Sequence, residues 1–186
     1  MDETARQARN VQRLTELYPS FAARIASIIS QLEAAGFRPR IQDAWRSPEQ
    51  QLEAYRKGNS KLRFGFHNVT GAGGKPEALA VDLLDDDFPL NPRKEYLLRL
   101  AAAAAKVKCI TGIAWGLPIA LQSAVLTAVE TRHWTAQVKV GWDPTHVEPA
   151  DVTVQEAALG VRPPDLSSRK RPIRRRRKRA TRTKRK

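Results

Sequence analysis

The sequence predicts an α+β fold, a small and mainly antiparallel sheet with helices packed on it, followed by a basic tail. Three observations carry that expectation. Apolar residues recur at helical spacing in several segments, most regularly in residues 21–35. Between these segments lie short apolar runs of strand length, bounded by Gly, Pro, Asn, Asp or Ser. Charge is also unevenly placed. Of the 33 Lys and Arg, 13 fall in residues 169–186, which hold no acids, so the other 20 face all 19 Asp and Glu. The body is therefore close to neutral, and 186 residues suffice for one core plus a tail. The expected division is N-terminal helices over 1–36, a core over 37–163 and a disordered basic tail over 164–186.

The elements follow in order. Residues 3–17 read as a helix with Val11, Leu14, Leu17 and Tyr18 as a modest apolar stripe, ended by Pro19-Ser20. Ser20 suits the N-cap of a second helix over 21–35, whose apolar face holds Phe21, Ile25, Ile28, Ile29 and Leu32 and which Gly36 stops. Residues 38–45 alternate as a strand with Arg46 at its end, and Ser47 caps a helix opening on Pro48. Residues 57–63 form a basic polar connection, and 71–76 a Gly-rich one. Residues 79–84 read as a central strand. Asn91-Pro92 opens a helix that runs through five consecutive alanines to Ala105. Residues 112–115 read as a strand, 119–133 as a helix, 138–140 as a short strand and 146–148 as the last strand. Asp151 then caps a helix that Gly160 ends.

Composition excludes some classes. The single cysteine, Cys109, allows no disulfide within the chain and lies in an apolar run, as a small buried hydrophobe would. Residues 109–129 carry no charge, but Gly112, Gly116 and Pro118 make them a strand, a turn and a core helix, so no membrane span is expected. The polar, acidic start has no apolar signal-like run, so synthesis in the cytoplasm is expected, as a monomer. The glycines of 71–76 are not followed by the Lys-Ser/Thr of a phosphate loop.

The candidate chemistry lies in two stretches. His67 precedes the Gly-rich connection, and Asp82 ends the apolar run Leu79-Ala80-Val81. Downstream the chain returns with Gly141-Trp142-Asp143-Pro144-Thr145-His146-Val147-Glu148. Two imidazoles and one carboxylate form a three-ligand set for zinc that leaves a fourth position for water. Asp143 stands three residues before His146 as a base for that water, with Glu148 as the alternative; on a strand Glu148 shares a face with His146 and could instead support it. Each residue also has a plainer reading: a loop-packing His, a strand-end Asp. Asp85, Asp86 and Asp87 could bind a cation but read better as an acidic loop, and His133 lacks partners at ligand spacing.

This arrangement resembles the zinc D-alanyl-D-alanine carboxypeptidases and L-alanyl-D-glutamate endopeptidases that cut peptidoglycan stem peptides, many phage endolysins among them. The likeness rests on four motifs in the family's order. These are Ala44-Trp45-Arg46-Ser47-Pro48-Glu49-Gln50-Gln51, His67 with its glycines and Ala80-Val81-Asp82, Gly112-Ile113-Ala114-Trp115-Gly116, and the acidic residue shortly before His146. Gly65 stands where the family usually has Ser, and the His67-to-Asp82 and Trp115-to-Asp143 spacings are longer. The resemblance implies a LAS-type, hedgehog-like peptidase fold with the zinc site at one edge. It implies His67, Asp82 and His146 as Zn²⁺ ligands and Asp143 as the base. It implies Arg46 as an anion-holding residue oriented toward the scissile carbonyl, with Ser47 and Gln51 beside it as substrate contacts. An endolysin would act at the cell wall.

The tail holds one sizeable aliphatic residue, Ile173, and cannot bury a core. It would bind polyanions by charge, either an anionic envelope polymer or nucleic acid, and it lacks the aromatics that stack bases. The alternative to a peptidase is thus a non-catalytic polyanion-binding protein on a peptidase-like scaffold.

Overall fold

In the computed structural model, which describes residues 1–58 and 60–166, four short strands form one antiparallel sheet of order β1-β2-β4-β3. Of the predicted tail, residues 167–186 lie outside the described residues, whereas Pro164 is held to the fold by Arg24, which donates to its carbonyl at 2.9 Å. The strands are β1 (Pro39–Asp43), β2 (Val81–Asp85), β3 (Cys109–Gly112) and β4 (Asp143–Pro149). The helices are α1 (Glu3–Leu14), α2 (Pro19–Ala34), α3 (Pro48–Arg56), α4 (Lys94–Lys106), α5 (Ile119–Glu130) and α6 (Val154–Ala158). Among the described residues no helix is long and apolar enough to cross a membrane.

The α2 face predicted from periodicity is the buried one: Phe21, Ile25, Ile28, Ile29 and Leu32 all enter the core. They meet α4, which buries Tyr96, Leu97, Leu98 and Leu100. Tyr96 packs edge-on against Phe37, 5.6 Å between centroids, and donates its hydroxyl to the Leu83 carbonyl at 2.8 Å. Val81, Leu83 and Val147 are fully buried, so β2 and β4 turn one face to this core and Asp82 and His146 to the other.

Of the expected apolar stripe, Leu14 and Tyr18 pack against the core and Leu17 is buried in it, but the helix itself departs from the expectation. It ends at Leu14, Val11 is 66 % exposed, and its buried residues are Arg6 and Asn10. The reason is that α1 covers the outer edge of β1. Asn10 donates to the Pro39 carbonyl at 2.9 Å and accepts from the Ile41 N–H at 2.8 Å. Arg6 donates to Pro39 O, and Arg9 to Ile41 O and Gln42 O. Side-chain groups thus satisfy an edge that would otherwise be open to another strand.

Several helix starts also differ. Pro19 opens α2, while the Ser20 hydroxyl donates to the Pro163 carbonyl. Lys94, not Asn91, begins α4. Thr153 caps α6 through a reciprocal pair with Glu156. Asp151 instead takes a two-pronged contact from the buried Arg24, at 2.7 and 2.9 Å. An inward-facing guanidinium needs such a partner more than a helix end needs a second cap.

On the far side of the sheet, β3 ends where a strand was expected to begin, and residues 113–116 turn. Residues 138–140 form no strand: Val138 and Val140 pack on the core, and Gly141 then crosses the turn, its N–H donating to the Ile113 carbonyl at 2.6 Å. A Cβ on Gly141 would lie 2.5–2.6 Å from the Gly112 carbonyl and the Trp115 backbone, and one on Gly112 would lie 2.1 Å from the Asp143 carbonyl. Only glycine permits this crossing, and the crossing delivers Trp142 and Asp143 to the site.

Candidate metal centre

The site is assembled from three directions. Asp82 on β2 lies directly across from His146 on β4 in the antiparallel register, which brings their side chains together on the face opposite the α2 and α4 core. These are the inner strands of the sheet, which narrows the expected location at one edge. His67 arrives on a single turn, Phe66–Asn68. That turn is fixed on both sides. The Arg46 N–H donates to the His67 carbonyl, the Leu79 N–H to the Phe66 carbonyl, and the Asn68 side chain to the Arg46 carbonyl, all at 2.9–3.0 Å.

Hydrogen bonds select which ring nitrogen each histidine presents. His67 Nδ1 contacts the Ala44 carbonyl, so it carries the proton and Nε2 faces the site. His146 Nε2 is 3.1 Å from Glu148 Oε2, which turns Nδ1 inward. His67 Nε2 is then 3.8 Å, and His146 Nδ1 3.3 Å, from Asp82 Oδ1. One ligand atom from each of the three residues lies within 4.8 Å of the others, the one such group among the described residues. Tetrahedral ligands at about 2.0–2.1 Å from a zinc ion would stand about 3.3–3.4 Å apart. The contacts to Asp82 are within about half an ångström of that spacing, the widest pair of the group has further to close, and two imidazoles with one carboxylate are a donor set that suits zinc.

Charge suits a metal ion at His67 and Asp82, while His146 would have to give up a proton to bind one. Burial holds His67 below its ordinary pKa, keeping it neutral as a ligand must be. Burial opposes ionisation of Asp82, but its hydrogen bond from His146 and the nearby imidazoles and Arg46 outweigh that and lower its pKa. Burial likewise opposes a charge on His146, yet Asp82 and Glu148 raise it to about 9, so these carboxylates favour positive charge between them. Asp143, 4.0 Å from His146 Nδ1 through Oδ2, has its carboxyl raised by burial, with Asp82 and Glu148 adding to the effect.

The other expected site residues fall in different places. Glu148 shares a face with His146, as strand alternation requires, and contacts its ring. Arg46 is engaged by carboxylates of the protein: it pairs with Asp43, and its Nη2 reaches Asp82 Oδ2 at 3.3 Å. Ser47 caps α3, its hydroxyl accepting from the Gln50 N–H, and it does not line the cavity. Gln51 is buried against the cavity wall, donating to Ser60 Oγ at 2.8 Å and the Leu62 carbonyl at 2.7 Å. The acidic loop is arginine-paired: Asp85 with Arg93, Asp86 with Arg40 and Arg38, Asp87 with Arg38. His133 is exposed and stands outside the ligand group.

The His67-Asp82-His146 group opens into a cavity of about 680 Å³. Sequence reasoning assigned no role to three of its residues. Trp115 packs on the His146 ring, 5.2 Å between centroids, and Trp142 lies 5.7 Å from Trp115. Lys61 stands 5.0 Å over the Trp142 ring. Trp115 stands in one of the four motifs, whereas Trp142 and Lys61 left only a faint local signal: a Trp between Gly141 and Asp143, and one lysine in a basic connection.

Fold and site together define an α+β chain with a His-Asp-His group over the inner strands of a small antiparallel sheet. Among solved structures, the fold is similar to the Serratia marcescens L-Ala D-Glu endopeptidase ChiX, at 17 % identity and a TM-score of 0.46, over 76 % of this chain and 86 % of that one. It is also similar to a variant of the vancomycin resistance D,D-pentapeptidase VanY from a VanB-type cassette, in complex with Zn(II), at 15 % identity and a TM-score of 0.38, over 75 % and 74 %. No protein family's model matches this chain, and no curated protein does.

Proposed function

We propose that this protein is a zinc peptidase that hydrolyses an amide bond in peptidoglycan stem peptides, with either L-alanyl-D-glutamate or D-alanyl-D-alanine as the bond cut. The observation that supports it most is the convergence of His67 Nε2, Asp82 Oδ1 and His146 Nδ1 beside the carboxylate of Asp143. The substrate class rests on the four sequence motifs.

His67, Asp82 and His146 would hold the ion, which when bound supplies Lewis acidity toward the scissile carbonyl and acidifies water. Asp143 accepts a proton from the attacking water and returns it to the leaving amine; a carboxyl raised by its surroundings is suited to both steps. Glu148 holds the His146 ring in one tautomer. Arg46 holds the second oxygen of Asp82, so that Oδ1 stays turned toward the histidines. Trp115 closes one side of the His146 ring against water.

The test is metal content per chain by elemental mass spectrometry, with hydrolysis of a muropeptide panel, on the wild type and His67→Ala. About one zinc per chain is expected, lost with all turnover in the variant. Full activity in His67→Ala would overturn the reading.

The 13 basic residues of 169–186 favour a second role, concentrating the enzyme on an anionic envelope polymer at the cell wall, as in an endolysin. Deleting residues 167–186 should lower activity on whole walls at low salt and spare small peptides. Equal loss on both would refute it, and tight nucleic-acid binding without zinc would favour the polyanion-binding alternative.

A further inference from the structure

We infer that Lys61, poised over the exposed face of Trp142, is the group that recognises a carboxylate on the substrate. This rests on the peptidase reading and gives it a specificity determinant.

Among the described residues, one arginine and one lysine line the cavity, Arg46 and Lys61. The sequence pointed to Arg46 as the anion holder, but its guanidinium is taken up by Asp43 and Asp82. Among the described residues Lys61 has no carboxylate partner; its contact is the Trp142 ring. A cation over an exposed ring gains only about 0.5–1 kcal/mol, which orients the side chain and leaves three N–H donors unpaired.

Both members of the pair are positioned by the fold. Ser60 and Leu62, on either side of Lys61, are tied to the buried Gln51 of α3, and the Leu62 N–H donates back to Ser60 Oγ at 3.2 Å. Trp142 lies across Gly116, whose backbone has φ +72°, and a Cβ there would come within 2.9 Å of the indole. With 59 % of its surface exposed, Trp142 presents a broad apolar face at the mouth of a polar cavity. The remaining charged walls, Asp82, Asp143 and Glu148, are acidic. They disfavour a substrate carboxylate beside them, and Lys61 is the lining cation not already paired with a carboxylate of the protein. A peptide would thus seat a free carboxylate on the ammonium and the aliphatic part of the same residue on the indole. The ligand class is an acidic peptide, its carboxylate either the α-carboxylate of a γ-linked glutamyl residue or the chain terminus.

Three stem-peptide analogues separate these cases: one with a free carboxylate only at the D-glutamyl residue, one only at the C-terminus, and one with both as carboxamides. They are titrated calorimetrically into the zinc-loaded full chain and their hydrolysis is followed. One of the two acids should bind about tenfold or more tightly than the dicarboxamide, the scale of a charge-assisted hydrogen bond. Lys61→Met should erase that ratio and Lys61→Arg should keep most of it, with zinc content as the check on folding. Equal binding of all three peptides, no binding of any, or an unchanged ratio in Lys61→Met would overturn the assignment. Hydrolysis without an acid preference would sink Lys61 and spare the peptidase reading. A Lys61-dependent preference without hydrolysis would support Lys61 and sink the peptidase.

Discussion

Replacing Glu148 by Ala separates the two roles that the sequence left open for it. Glu148 Oε2 sits 3.1 Å from His146 Nε2, with side-chain exposures of 19 % and 11 %, so the contact is largely shielded from water. A hydrogen bond with one charged partner in such a setting contributes about 1.5–3 kcal/mol, equivalent to about ten- to a hundredfold in an equilibrium constant. Losing the outer partner of a metal-binding histidine has an effect of the same size. Glu148→Ala should therefore weaken zinc binding by about ten- to a hundredfold, while saturating zinc restores much of the turnover. Glu148→Gln, which can still accept from Nε2, should lose less. Asp143→Asn provides the contrast: zinc affinity close to wild type, turnover lower by about a hundredfold or more. Zinc affinity is read by competition with a chromophoric chelator at neutral pH, and turnover on a stem peptide at saturating metal. The reasoning fails if Glu148→Ala binds zinc like the wild type and yet has no turnover, because Glu148 would then be the base and Asp143 the supporting group.

Two further predictions concern the frame. Asp151 is held below the usual carboxylate range: burial opposes its charge, but the hydrogen bond and charge of Arg24 outweigh it. A depressed carboxyl stabilises the fold above its unfolded pKa, and that stability is lost as pH falls through the folded value. The acid limb of thermal stability below about pH 4 should therefore flatten in Asp151→Asn. At neutral pH this variant should lose about 2–3 kcal/mol, since Arg24 keeps the Lys108 and Pro164 carbonyls but loses its counter-charge; an unchanged melting temperature would contradict this. Asn10→Leu removes both bonds to β1 and strands the Ile41 N–H, so it should cost about 2 kcal/mol in urea unfolding, and a loss under about 0.5 kcal/mol would mean that α1 is not what satisfies that edge.

Legibility in the sequence followed how local each cause was. The α2 face was plain because five large apolar side chains at helical spacing have only one economical place to go. The α1 face was not, because its buried residues are polar and make sense only against a strand edge 29–33 positions away. Val138 and Val140 had the composition of a strand but no ladder to join, since the loop crosses the 113–116 turn instead. At the site, residue type and order pointed to His67, Asp82, His146 and Asp143, while the standing of Arg46 and Lys61 did not follow from either.

The sequence by itself determined the α+β pattern and the near-neutral body with its basic end, and it pointed to the His67, Asp82 and His146 group, because periodicity, composition and donor chemistry reside in the residues themselves. The tertiary structure alone decided which ring nitrogens face the site, which cation is engaged by protein carboxylates and which stands free, and that two glycines let one loop cross another to bring Trp142 and Asp143 beside His146. Those outcomes depend on distances between segments far apart in the chain, set by strand register and by a backbone crossing too close to admit a side chain at Gly112 or Gly141.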